Sequence, residues 1–425
     1  MAATLACPPL ACRPGVTRLG NTRGSNLNTN CYNHGRSTRT ETIVNSTAAV
    51  LPCWNRRRWL TATVASLALP GQAQPRPAAE WVVGQSLPLS GPMAPTLNGL
   101  TGGAQLAFDE VNRQGGIEGR PLRLVQLDDG FDPARTAANV RQLVTQAQAV
   151  ALLGTVGTAQ TAAALPVIAE LRTPMIGPYT GSPALRARHN PYLFTTQASY
   201  TDELVQMVRY LQQVQFKRLA IVYQANEFGT QMLPLVQKIV AAEGGSVTAA
   251  LPLEAAGVDA KTVADAAYAS QPQAVLMIVA GPAVVPFVKS SHARKGIPLY
   301  TLSLSVGSAI LAALGADAYG LAVARVTPYP WRATTPLARG FQQAMERAGK
   351  PIDYDHYAGY INARVLIEGL RAAGRAPTGE SVAQGLTRLG TVDLQGYKLS
   401  YGPGNHHGSD FVEIAVVGKD GRFLR

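Results

Sequence analysis

From residue 81 onward, short apolar runs alternate with stretches of helical periodicity, and this rhythm constrains the fold more than any single motif in the chain. Apolar runs stand at 81–87, 122–127, 149–153, 219–223, 274–279 and 299–302. Between them the spacing predicts helices near 97–113, 133–147, 158–171, 202–214, 228–243, 260–269 and 283–295. Strand, helix, strand in regular succession implies parallel strands joined by crossover helices, hence sheets covered on both faces. The local punctuation agrees. Asp132-Pro133 reads as an N-cap followed by proline in the first turn, and Gly115-Gly116 stops the helix that ends in "FDEVNR".

The rhythm yields more strands than one ordinary sheet holds, and it pauses twice. The stretch "RHNPYLFTTQASYTDE" (188–203) reads as a crossing, after which a second β/α series starts at Arg218; "ARVTPYPWRATTP" (324–336), with three prolines, reads as a return. Two α/β lobes that exchange chain more than once form a hinge and a cleft. The expected organisation is a leader over 1–78, a first lobe from 79–197 plus 327–395, and a second lobe from 198–326 plus 396–425. The tail carries glycine-punctuated β patterns with a hairpin turn at Lys419-Asp420-Gly421.

A formal net charge of +12 over 425 residues suggests a polyanion partner until its location is read. Residues 1–73 hold eight arginines and one acid, Glu41, a net of +7, which leaves 12 − 7 = +5 for the rest, spread without basic runs. No nucleic-acid partner is expected. All four cysteines (Cys7, Cys12, Cys31, Cys53) lie in the same leading segment. Within it, "NRRRWLTATVASLALPGQA" combines a cationic start at Arg56, Arg57 and Arg58, an uncharged run over 59–69, a breaker at Pro70 and small residues at Gly71 and Ala73. These are the parts of an export signal, too short to span a membrane, with the Sec and twin-arginine routes both open. The mature chain is expected to begin near Gln74 in the periplasm, and translation near Val50 or Leu51.

The common α/β chemistries have no support. Neither "SGPMAP" nor "GTVGTAQ" supplies the G-x-G-x-x-G of a dinucleotide site, and there is no phosphate loop and no G-x-S-x-G elbow. His406-His407 lacks companions at metal-ligand spacing and reads as loop polarity; Asp128, Asp129 and Asp132 in "LDDGFDP" read as strand-end and capping groups. No metal, cofactor or catalytic residue is expected. More informative are three loops that follow apolar strands: Ser90 in "LSGPMA", "GTVGTAQT" (154–161) and "GPYTGSPAL" (177–185). Each offers hydroxyls and glycine-opened amides, and Thr158 stands where a helix begins, so its hydroxyl either caps that helix or joins the free N–H groups in holding a carboxylate.

The segments "SLPLSGPMA", "GGAQLAFDEVNRQGGIEGRPLRLVQLDDGFDPARTAANVRQLV", "LLGTVGTAQTAAALPVIAELRTPMIGPYTGSPAL" and "NPYLFTT" resemble the periplasmic leucine/isoleucine/valine-type substrate-binding proteins of ABC transporters. The resemblance covers nearly everything from residue 80 on. It implies a type I periplasmic binding fold, two Rossmann-like lobes with parallel sheets flanked by helices and a three-crossing hinge. It further implies a small-molecule ligand, an amino acid or organic acid, held without chemistry by a monomer that delivers it to membrane permease and ATPase subunits. Carried over by position, the ligand α-carboxylate meets Thr158 and the loop 180–182, with Thr180 and Ser182; Ser90, Tyr179 and Gly281 are further ligand-binding candidates. Phe228 stands where the family often has Tyr, Thr96 where a first-lobe Tyr is expected, and Leu304 at or beside the acid that pairs with an amino acid's ammonium. Either another acid such as Glu227 substitutes, or the ligand lacks an amino group, because an unpaired buried ammonium is costly. Rival readings are a ligand-sensing domain for a signalling partner and a small-amide hydrolase.

Overall fold

The computed structural model describes residues 79–292 and 296–424; the segment read as an export signal and the cysteines lie outside them, as does the side chain of Thr96. In chain order the first series runs β1 (Trp81–Leu87), α1 (Ala94–Arg113), β2 (Leu122–Asp128), α2 (Pro133–Thr145), β3 (Ala151–Leu153), α3 (Thr158–Glu170), β4 (Met175–Ile176) and β5 (Leu193–Phe194). The second runs α4 (Tyr200–Gln213), β6 (Arg218–Gln224), α5 (Glu227–Ala242), β7 (Ser246–Leu253), α6 (Ala260–Ala269), β8 (Ala274–Ile278), α7 (Val284–His292), β9 (Leu299–Thr301), α8 (Ser308–Leu314) and β10 (Ala322–Arg325). The chain then returns through α9 (Pro336–Arg347), α10 (Tyr354–Ala373), α11 (Gly379–Leu389), β11 (Thr391–Asp393) and β12 (Lys398–Ser400), and ends with β13 (Glu413–Val417) and β14 (Phe423–Leu424).

Two sheets result. The first has the order β2-β1-β3-β4-β5 and is parallel throughout. Its strand β1, paired on both sides by β2 and β3, is buried along its whole length, as a parallel strand covered on both faces must be. The second has the order β14-β13-β10-β9-β8-β6-β7, parallel except for the antiparallel tail strands β13 and β14. The hairpin expected at Lys419-Asp420-Gly421 joins those two strands.

The returning helices pack on the first sheet: Leu337, Phe341, Tyr357, Tyr360 and Leu386 share a core with Val83, Phe108 and Phe194. Tyr397, Leu399 and Tyr401 belong to the same core, which corrects the expectation that the chain passes to the second lobe at 396. The β11–β12 hairpin buries its inward residues there, and passage comes later, before β13. Three segments therefore link the lobes, and one side chain touches all three. The Tyr397 hydroxyl lies 2.9 Å from the Thr196 carbonyl, 3.2 Å from the Val326 carbonyl and 2.7 Å from the Ser409 hydroxyl.

Helix α1 crosses α10 closely because glycines meet there. A Cβ on Gly103 would fall on the His356 carbonyl, and one on Gly359 on the Leu100 carbonyl. This contact fixes the start of α10 at the mouth between the lobes, where Asp353 caps it by accepting from the His356 amide at 2.7 Å.

Candidate ligand-binding cleft

Loops at the carboxyl ends of both parallel sheets face each other, the place where open α/β sheets receive ligands. On the first lobe, α3 begins at Thr158, and the residue before it, Gly157, has φ +99° and no side chain with which to cap the helix. Thr158 does not cap either. Its Oγ1 lies 3.0 Å from Thr180 Oγ1, which also accepts from the Ser182 amide at 3.2 Å. The two loops are held in register by the Tyr179 amide, which donates to the Thr155 carbonyl at 2.8 Å, and by Gly157, which donates to the Tyr179 carbonyl at 3.3 Å. A hydroxyl pair beside the uncapped first turn of a thirteen-residue helix is a set of donors suited to a carboxylate.

The second lobe supplies the opposite wall. Tyr200, the first residue of α4, donates its amide to the Gly181 carbonyl at 2.8 Å, and its ring meets Phe228 edge-on with centroids 5.6 Å apart. One turn on, Glu203 is 1% exposed. Its carboxylate accepts from the Ser303 amide at 2.7 Å and the Ser303 hydroxyl at 2.9 Å. Burial pushes this carboxyl up to about 7, against the opposing pull of those two bonds. Closer to the mouth, Asp355 at the start of α10 accepts from the Ser308 amide at 2.7 Å and its hydroxyl at 2.8 Å, linking the lobes; burial raises its pKa too. A further approach between lobes lies at Gly281, φ +72°, where an added Cβ would stand 3.4 Å from Met93 Sδ. Arg325, at the end of β10, is buried with its guanidinium over the rings of Tyr354 and Phe423. Tyr179 is half-buried in the same electrostatic neighbourhood; burial, aided by Asp355, raises its phenol, while Arg325 acts the other way.

Thr158, Tyr179, Thr180 and Ser182 thus gather on one wall, and Phe228, Gly281 and Leu304 lie on the second lobe. Leu304 is half-buried in the turn Ser303–Ser305, directly beside the serine that holds Glu203. Two candidates stand apart. Ser90 is exposed and its hydroxyl donates to Asp128 at 2.6 Å, a bond that leads the causes holding Asp128 down at about 2. Glu227 is exposed and accepts from Gln231 one helical turn away at 3.0 Å, so the buried acid near Leu304 is Glu203 instead. Sequence reasoning passed over Glu203, Arg325 and Asp355. Periodicity marks Glu203, because it falls on the buried stripe of α4 with Tyr200, Leu204 and Met207, and Arg325 is a charge inside an apolar run.

The remaining polar motifs are structural. Asp132 caps α2 at the Ala134 and Arg135 amides, and Asp129 accepts from the hydroxyls of Ser86 and Thr136. The His406 ring stacks on Phe194 at 4.0 Å, and burial lowers its pKa to about 4. Among the described residues no cluster of three or more His, Cys, Asp or Glu is placed to hold a metal ion. Concavity alone does not mark the site: a hollow of about 630 Å³ lined by Tyr268, Val288, Pro298 and Tyr319 opens at the amino end of β9, the edge away from the cleft.

Comparison with known proteins fits this geometry. A family model described as "Periplasmic binding protein" matches residues 80–422. The Leu/Ile/Val-binding protein of Escherichia coli K12 is 28% identical over 150 residues, which span 35% of this chain and only 41% of that protein. A Leu/Ile/Val-binding protein of Rhizobium johnstonii is 25% identical over 359 residues, 81% of this chain and 92% of the relative. Among solved structures, a substrate-binding periplasmic protein from Ralstonia solanacearum is 32% identical with a TM-score of 0.75, covering 81% of this chain and 99% of its own. A branched chain amino acid ABC transporter structure from Thermus thermophilus with bound valine shares the fold at 20% identity and a TM-score of 0.72, over 82% of this chain and 95% of its own.

Proposed function

The chain belongs to the periplasmic binding protein family, and from that premise we propose that it is the exported substrate-binding component of an ABC importer, which closes its two lobes on a small carboxylate. The observation that carries this reading is the Thr158–Thr180 hydroxyl pair, 3.0 Å apart at the uncapped start of α3 and facing the second lobe's buried polar groups. A trap of this kind performs no chemistry. Its work is differential affinity: the ligand binds both walls only when they approach, so binding stabilises the closed arrangement over the open one. Tyr397 at the meeting of three crossings supplies a pivot about which such closure turns. No helix among the described residues is long and apolar enough to cross a membrane. The export signal read in 56–73 would deliver the chain to the periplasm as a monomer, where permease and ATPase subunits receive the cargo.

Whether that cargo is an amino acid turns on Glu203, the acid beside Leu304. With its carboxyl raised to about 7 by burial, it would release its proton to solvent and pair as a carboxylate with an incoming ammonium. The test is calorimetry with L-leucine, its 2-oxo analogue and a panel of small carboxylates on wild type and Thr158→Ala. A charge-assisted hydrogen bond is worth about 1.5–3 kcal/mol, so loss of the hydroxyl should weaken a carboxylate ligand about ten- to a hundredfold. Unchanged affinity in Thr158→Ala would remove the hydroxyl pair from the site.

A further inference from the structure

We infer that Arg325 is a second ligand-binding point in this cleft and receives an anionic oxygen group, so that the cargo carries a carboxylate at each end. The inference rests on the cleft reading above and adds the class of ligand to it.

Arg325 ends β10 with 4% of its surface exposed. Its guanidinium carbon lies 4.4 Å from the Tyr354 ring centre and 4.1 Å from that of Phe423, which orients the planar group. Its Nε is fully buried and has no hydrogen-bond partner among the described residues. Buried donors in folded proteins are almost always paired, and a guanidinium carries five of them. Of the nearby acids, Glu203 holds Ser303 and Asp355 holds Ser308, while Glu413 lies opposite Arg325 in the strand register and accepts from the Tyr354 hydroxyl at 3.4 Å. The guanidinium over Tyr354 stands at the start of α10, next to Asp355, whose carboxylate reaches Ser308 of the second lobe. Burial also weakens the acidity of Glu203 and Asp355, reducing the negative charge that would oppose an anion there.

The geometry of the side chain selects the class. A flat, fixed guanidinium matches a carboxylate bidentately, whereas a neutral alkyl end would leave its donors unpaired. One carboxylate on the Thr158–Thr180 pair and another on Arg325 would also tie the two lobes through one molecule, since β10 belongs to the second sheet.

The test uses three matched pairs that differ only in a terminal carboxylate: glutarate and pentanoate, L-glutamate and L-norvaline, 2-oxoglutarate and 2-oxopentanoate. Each is titrated calorimetrically into wild type, Arg325→Gln, Arg325→Lys and Thr158→Ala. At least one diacid is expected to bind tenfold or more tightly than its partner, and that ratio should fall below threefold in Arg325→Gln. If Arg325→Gln does not fold, Arg325→Lys, which keeps the charge and loses the fork, should cut the ratio at least threefold. A wild type that prefers no diacid, or binds none of the six compounds, overturns the inference. So does a ratio that survives Arg325→Gln while the melting temperature drops, the mark of a purely structural cation. Monocarboxylates that bind and are weakened by Thr158→Ala would sink this inference and leave the cleft reading standing; ligands indifferent to Thr158→Ala would sink the carboxylate site itself.

Discussion

Glu203→Gln should make the protein more stable at alkaline pH, the opposite of what removing a hydrogen-bonded carboxylate ordinarily does. Burial holds the Glu203 carboxyl at about 7, against an ordinary 4.5. Between those values the folded chain keeps a proton that the unfolded chain has released. Its contribution to stability is therefore fully present below pH 4.5 and is lost as pH rises through about 7. The difference of about 2.5 pKa units, at 1.36 kcal/mol each, comes to about 3 kcal/mol. Glutamine keeps the shape and both contacts to Ser303, its oxygen accepting from the amide and its NH₂ donating to the hydroxyl, and it carries no charge to desolvate. Urea unfolding at pH 4 and pH 8 measures the effect: the variant should match wild type at pH 4 and exceed it by up to about 3 kcal/mol at pH 8. A variant destabilised equally at both values would refute the reasoning, because it would show that Glu203 is ionised and satisfied throughout. The same group gives a binding signature. At pH 6, capture of an amino-acid ligand's ammonium by Glu203 should release close to one proton, seen as a dependence of binding heat on buffer ionisation, whereas the matching 2-oxo analogue should release none.

Two other substitutions probe the frame around the cleft. Gly103→Ala drives a methyl group into the His356 carbonyl between α1 and α10; overpacking of this kind should cost about 1–3 kcal/mol or more, and an unchanged melting temperature would show that the helices can separate freely. Gly307→Val places side-chain atoms against the Asp355 carboxylate, which a Cβ would approach to 2.8 Å, at a contact between the lobes rather than within one. It should weaken ligand binding while leaving the melting temperature of the unliganded protein nearly unchanged, with small-angle scattering showing a smaller ligand-induced compaction; unaltered affinity and compaction would mean that Asp355 and Ser308 do not meet on closure.

Local chemistry was enough to read most of the frame. The apolar runs at 81–87 and 274–279 became β1 and β8 because a strand buried on both faces must be largely apolar along its length, and the more mixed run at 122–127 became β2, a partly exposed edge strand. The caps at Asp132 and the stop at Gly115-Gly116 depend on neighbours within a few residues and fell where the sequence put them. The strand-end loops with Thr158 and Thr180 were legible for the same reason. Their meeting was not: it required β3 and β4 to be adjacent, a property of strand order. The two-residue strands β4 and β5 are too short to show a period, and the hairpin of β11 and β12 joins the first lobe because Tyr397 and Leu399 find their core there. Glu203, Arg325 and Asp355 come from α4, β10 and α10, more than a hundred residues apart at the extremes, and nothing in their immediate sequence tells one buried charge of another. Only the folding of two sheets against a common cleft brought them together, since the electrostatic cost of burial depends on what surrounds a group in space rather than along the chain.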